Sequence, residues 1–372
     1  MLLSPLNIIE LMKKDPTVKS KNNDIAFNKF YNALAHKANE MGLLSKCRLC
    51  GKDIVGRKNS HSVPQSVLKN INNNGHYCQI TCAIEDNLIF GPIGRLDRTG
   101  LNKTGTFHLL CEECENKFFR DYEDPIFLDS LAHVKVGLLK DDILAEIMLK
   151  CALRERYKKE FSKNISILVN QTAKLNNIPY NISTTADELN VKEYDFYINV
   201  CLDILSSKRT NQFTIIYYDV LDYKSSFASQ SLVAIQKTVT NLLINDVYNY
   251  DPSYKINLCN FIIFPLEEKT ICAIFCLKNE EDRLRPFINY FNSLNLVSKR
   301  KLFQSTLFMY TEEVYTNEEM INEIKNDHYT LSFVKSAMEN AVTTNRLKEL
   351  NKFLVKPPLV APNGFRKAKF LI

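Results

Sequence analysis

This chain of 372 residues has no tryptophan, only ten glycines, and no apolar run long enough to cross a bilayer. Each shortage excludes something. Without about 18 consecutive apolar residues, a membrane-spanning helix is not expected. With so few glycines, tight turns and left-handed backbone must be concentrated rather than spread. Eight of the ten (Gly42, Gly51, Gly56, Gly75, Gly91, Gly94, Gly100, Gly105) fall between residues 42 and 105. That stretch is expected to be turns and loops, and the rest more regular. The second half contains no glycine-rich phosphate loop, no nucleophile elbow and no histidine-rich ligand set. No internal repeat is found, and low complexity is limited to short runs such as NINNN. The missing tryptophan is made good by 22 Phe and 17 Tyr, ample for an aromatic core.

Charge is nearly balanced. The formal net charge is +6, which permits nucleic-acid binding without demanding it, because a phosphate footprint depends on local clustering. The start, MLLSPLNIIELMKKDP, places no charged segment before its apolar run, and no small-residue cleavage site follows. A signal peptide is therefore not expected, and the chain is expected in the cytoplasm. In a reducing compartment, paired members of its 11 cysteines suggest metal ligands before disulfides.

Two such pairs exist: Cys47 and Cys50 in CRLCGK, and Cys111 and Cys114 in LLCEECENKFF. Four thiolates can close a tetrahedral zinc shell with bonds of about 2.3 Å. Gly51 follows the first pair, as a tight knuckle favours. The second pair opens an expected helix, whose unpaired N–H groups stabilise thiolates. A knuckle plus a helix-start pair is the ligand layout of a treble clef. The 60-residue spacer is tolerable because loop-closure cost grows only logarithmically. Cys78 and Cys82, with His76, could bind a second zinc or replace one pair; the plainer alternative is a small hairpin inserted in the spacer. Cys151, Cys201, Cys259, Cys272 and Cys276 lie in apolar patterns and belong to the core.

The expected fold class is α+β. A helical arm spans 1–42, a zinc module 43–130 and a linking helix 131–164. An α+β domain with an antiparallel sheet covers 165–350, and a weakly ordered tail 351–372. CEECENKFFRDYEDP predicts a helix ended by Pro125. DDILAEIMLKCALRERYKKEFSK predicts another at about 141–163, with the apolar stripe Ile143, Leu144, Ile147, Met148 and Cys151. Arg154, Arg156, Lys158 and Lys159 lie near its expected end, where solvated cations complement the helix dipole; a nucleic-acid patch is the alternative. QFTIIYYDVL predicts a strand at 212–221, and INLCNFIIFPL with KTICAIFCL a hairpin. Helices are expected at 280–294 and 331–350. Asp219 and Asp222 sit at a strand end, a place where catalytic acids occur.

Between the Cys pairs lies Asn59-Ser60-His61-Ser62-Val63-Pro64. The series Cys-x-x-Cys, Ser-His-x-x-Pro, Leu-Cys-x-x-Cys resembles a zinc-stapled His-Asn-His (HNH) endonuclease module. More narrowly, NSHSVPQSVLKNINNNG with TGTFHLLCEECENKFFRDYEDP is similar to uncharacterised bacterial HNH-like proteins that often sit among defence or mobile-element genes. The resemblance covers about residues 45–127. It implies phosphodiester hydrolysis of DNA assisted by Mg²⁺ or Mn²⁺, with a histidine as general base. His61 matches the first histidine of the motif. The middle Asn position holds Thr106, for which His108 offers a substitute. The second metal-binding His position holds Glu115, a hard ligand suited to Mg²⁺, with Glu112, Asp121 and Glu123 as further candidates on the same helix.

Lys46, Arg48, Lys52, Arg57, Lys58, Arg95, Arg98 and Lys103 cluster around these motifs and suggest a nucleic-acid contact. The competing expectation is a non-catalytic treble-clef protein that binds nucleic acid or a protein partner, with the C-terminal domain serving partner binding or self-association. His61 then only braces the module. Glu115 discriminates: convergence with His61 and His108 on an open cation position favours hydrolysis, and a salt bridge favours binding.

Overall fold

The computed structural model describes residues 33–334, apart from 43–44, 55–58, 73–74, 81–98, 134–138, 176, 178–180, 239–241, 248, 250 and 333. Cys82, Arg57, Lys58, Arg95, Arg98, most of the helix expected at 331–350, and the tail lie outside the described residues, as does the arm before 33. In chain order the first elements are a helical stretch 33–42 (α1), β1 (Ser60–His61), α2 (Gln65–Asn70), β2 (His76–Gln79), β3 (Thr99–Gly100) and β4 (Thr106–Phe107). Four helices follow: α3 (Glu112–Glu123), α4 (Pro125–Leu131), α5 (Asp141–Leu175) and α6 (Thr185–Ser207). Strands β5 (Phe213–Leu221), β6 (Phe227–Val233), β7 (Cys259–Pro265) and β8 (Thr270–Leu277) come next. After these come α7 (Glu281–Ser293), α8 (Leu296–Tyr310), β9 (Val314–Thr316) and α9 (Glu318–Asn326), and residues 328–332 are again helical.

The fold class is α+β. A seven-stranded sheet runs β3-β2-β9-β6-β7-β8-β5, with every pair antiparallel. The expected hairpin is β7–β8, from Cys259 opposite Cys276 to Pro265 opposite Thr270. Both strands are buried along their whole length. Their apolar residues alternate between two cores, as the period of two requires. Ile262, Phe264, Ala273 and Phe275 face the core shared with α5 and α6. Phe261, Ile263, Cys272 and Ile274 face the core shared with α7, α8 and α9. The sheet is thus a middle layer between two helical layers. Each enclosed Phe contributes roughly 1.5–3 kcal/mol of burial.

Cys151, Cys201, Cys259, Cys272 and Cys276 are all buried, as expected of core thiols. Pro125 ends α3 and begins α4, with Asp124 accepting from the N–H groups of Ile126 and Phe127. Helix α5 keeps the expected stripe but continues to Leu175, 35 residues in all, and so crosses residue 165. Its cations therefore lie in the middle of a helix and not at a solvated end. β2 enters the same sheet as the C-terminal strands, with Cys78 opposite Thr316 and Gln79 opposite Tyr315. It also forms a small hairpin with β3, His76 opposite Gly100. The segment between the two Cys pairs and the C-terminal half consequently share one sheet.

Candidate metal centre and the His61 strand

The knuckle forms because residues 45–54 fold back on themselves. Lys46 bridges Asp53, the Cys47 N–H donates to Lys52 O (2.8 Å), and the Gly51 N–H donates to Cys47 O (2.9 Å). Gly51 has φ of +69°, a left-handed turn that glycine takes without strain. The Arg48 N–H donates to Leu109 O (2.9 Å), which ties the knuckle to the segment leading into α3. Cys111 caps α3 and Cys114 lies in its first turn.

The four sulfur atoms of Cys47, Cys50, Cys111 and Cys114 lie within 4.8 Å of one another. Cys50 and Cys111 sulfurs are 3.7 Å apart, close to the edge of about 3.8 Å in a tetrahedron with bonds of about 2.3 Å. The cluster can hold a metal ion. Burial works against ionisation of Cys47, but backbone N–H groups at Cys111, Cys50 and Leu49 outweigh it and bring the thiol down to about 7. Cys114 is pushed up, first by burial and then by the neighbouring thiols. Cys78 is not part of a metal-ligating cluster among the described residues; it is a buried strand residue.

Beside the knuckle, β1 pairs antiparallel with β4, Ser60 opposite Phe107 and His61 opposite Thr106, and α3 follows. His61 is half-buried and its Nε2 donates to Leu101 O at 3.0 Å. Burial lowers its pKa; the Leu101 carbonyl and Glu115 oppose that and Lys150 reinforces it. His108 packs edge-on against Tyr157 of α5, ring centres 6.4 Å apart. Glu115 is buried and both its oxygens are engaged: Ser60 Oγ donates to Oε2 (2.6 Å) and Lys150 Nζ to Oε1 (2.5 Å).

Lys150, Ser60, Ser62 and Glu313 are not sequence candidates, and Arg154 and Lys158, expected at a solvated helix end, join them around His61. Lys150, Arg154 and Lys158 recur every four residues, so they share one face of α5. That periodicity is visible in the sequence; the carboxylates that meet it are not. Arg154 and Lys158 both contact Glu313 Oε1 at 3.3 Å, and Arg154 Nη1 donates to Thr106 O (2.8 Å). Ser62 Oγ donates to Glu313 Oε2 (3.1 Å), and Tyr315 OH donates to the same oxygen. The two serines that flank His61 are thus anchored to two separate ion clusters on one helix face.

Gly105 allows this closeness. Its φ is +60°, and a Cβ there would lie 2.5 Å from Ser62 Oγ and 2.6 Å from Tyr315 OH. Gly105→Ala is expected to cost roughly 2 kcal/mol or more, from overpacking and backbone strain together. A urea midpoint equal to that of the wild type would contradict the packing described.

The described basic residues are largely engaged. Arg48 contacts Asp195 at 2.6 Å, and Arg156 Nε reaches the same oxygen at 2.7 Å. Lys52 pairs with Glu113 (2.7 Å), while Lys46 is exposed. Asp219 accepts from Arg300 Nε (2.7 Å) and Tyr217 OH (2.8 Å), and Asp222 is exposed. No helix among the described residues is long and apolar enough to cross a membrane. Comparison with protein-family models, with curated proteins and with solved structures returns no match in any of the three.

Proposed function

We propose that this chain is a zinc-stapled, non-hydrolytic binding protein. In this reading Cys47, Cys50, Cys111 and Cys114 hold one structural Zn²⁺ in a treble-clef module. Four sulfur donors leave no open coordination position, which is the chemistry of a structural site. One observation carries the non-hydrolytic part: both oxygens of Glu115 are committed, to Lys150 and to Ser60, at the position where the HNH resemblance needs a cation ligand. With Arg48 and Lys52 paired to carboxylates, the binding surface must draw on other residues, and its partner is nucleic acid or protein.

A second reading, DNA hydrolysis of the HNH type, is favoured by the antiparallel β1–β4 pair followed by α3, and by a His61 whose pKa burial lowers. A neutral imidazole is what a general base requires. Plasmid nicking by purified protein with Mg²⁺ or Mn²⁺ separates the two. The proposal expects wild type and His61→Ala to be equally inactive while wild type still retards DNA or captures a partner. Nicking that falls about 100-fold or more in His61→Ala would establish the hydrolase instead.

A further inference from the structure

Tyr197 of α6 meets Glu280, which ends the short turn Lys278–Glu280 between β8 and α7, and both side chains are enclosed. The Tyr197 hydroxyl has three neighbours. The Leu258 N–H donates to its oxygen (3.1 Å), and the hydroxyl lies within hydrogen-bond reach of Ile256 O (2.9 Å) and of Glu280 Oε1. A phenol has one hydrogen to give. A carbonyl and an ionised carboxylate are both acceptors, so that one hydrogen cannot serve the two contacts. Nor does a cation compensate a charge there. Glu280 Oε2 is buried without a hydrogen-bond partner, and Lys255, the cation that faces Glu280, lies over the Phe196 ring at 4.5 Å. The other groups facing Glu280 are Glu193 and Cys201 from α6 and Cys259 from β7, none of them positive. Lys278 and Glu281, on its own stretch of chain, pair with each other (2.7 Å).

We infer that Glu280 is a protonated carboxylic acid in the folded protein, and that its proton closes a latch joining α6 to the segment before β7 and to the turn between β8 and α7. The acid donates to the Tyr197 oxygen and the Tyr197 hydroxyl donates onward to Ile256 O, so each contact has a hydrogen of its own. Loss of the proton leaves a buried carboxylate with no cation against it, a costly state that opening of the α6 contact relieves. Burial is the main cause that raises this carboxyl to about 8; Glu193 adds to it, while Tyr197, Leu258 and Lys255 oppose it. A carboxyl raised in the folded state favours the fold below its ordinary 4.5, and that contribution is lost as pH rises to about 8. Glu193, raised to about 6 chiefly by burial, titrates inside the same window. The latch involves none of the four sulfur ligands and is independent of what the module binds or cleaves.

Glu280→Gln keeps the shape of the side chain, offers an N–H toward Tyr197 and does not ionise. Urea unfolding of the full chain compares the two proteins. The folding constant of Glu280→Gln relative to wild type should grow roughly tenfold or more between pH 5 and pH 8.5. Glu193 is common to both proteins and cancels in that ratio. A ratio that stays constant over this range overturns the inference. The infrared difference between wild type and Glu280→Gln at pH 6 should show the C=O band of a protonated carboxyl, which vanishes well above pH 8. A carboxylate band in its place at pH 6 overturns the inference too. Should Glu280→Gln fail to fold, hydrogen exchange in the Glu193→Gln protein decides. Protection of the Leu258 amide, corrected for its intrinsic rate, should fall about tenfold between pH 6 and pH 9. Protection that does not change across that range counts against the latch.

Discussion

Cys114→Ser is expected to abolish zinc uptake and to unfold the region from the knuckle through α3. Structural zinc supplies about 10–16 kcal/mol of apparent folding free energy at neutral pH. A serine hydroxyl does not replace a thiolate in that shell. Cys114 is also buried in the same core as Phe119, Tyr122, Leu144 and Met148, so disorder at the zinc site reaches α5. Cys201→Ser is the control. It alters an equally enclosed thiol with no place in the sulfur cluster, and should cost only about 1–3 kcal/mol. Metal content by mass spectrometry and melting by circular dichroism decide the matter. One zinc retained by Cys114→Ser, or a melt unchanged by a strong chelator in wild type, would sink the structural-zinc proposal.

Glu313→Gln is expected to have the second largest effect, roughly 3–5 kcal/mol at pH 7, because it leaves Arg154 and Lys158 without the carboxylate they share. The effect should depend on pH, with a definite sign. Burial alone would raise the Glu313 carboxyl, but Arg154 and Lys158 overcome it and hold the group down at about 2, against an ordinary 4.5. A carboxyl depressed in the folded state stabilises the fold above the unfolded value and loses that contribution as pH falls through the folded one. The window therefore runs from about pH 4.5 down to about pH 2. Wild type should lose on the order of 3 kcal/mol across it from this group, and Glu313→Gln should decline less steeply. Urea midpoints at pH 7 and pH 3 test both parts. Equal midpoints for the two proteins at pH 7 would show that the network contributes nothing.

Some of this was legible in the sequence. The β7–β8 hairpin was, because its apolar runs are dense and bounded by Glu267 and Glu268. Strand β6 was not: its sequence is FASQSLV, yet every residue is buried. Ser229 and Gln230 survive there because Ser229 Oγ donates to Glu313 O (2.7 Å) and Gln230 Nε2 donates to Tyr122 OH (3.2 Å). Those partners are far away in sequence. α8 and α9 did carry a local signal, since Asn295 and Asn317 cap them by accepting from Ser298 and Met320 N–H groups. α6 carried one too, with Tyr197, Ile198, Cys201 and Ile204 at helical spacing.

By itself the sequence singled out the four cysteines whose sulfur atoms come together. Two Cys-x-x-Cys pairs, one with a following glycine and one at a helix start, set local geometry that needs little from the rest of the chain. It also determined the α+β class, because strand and helix periodicities are local properties. Only the tertiary structure decided the surroundings of His61. Whether Glu115 faces an open position or a lysine depends on where α5 crosses α3, and whether Ser62 meets Glu313 depends on β9 reaching back to the hairpin. These are contacts between side chains 35 and 251 residues apart. Their energies come from burial and from the partner's position, and neither is written in the residues beside them.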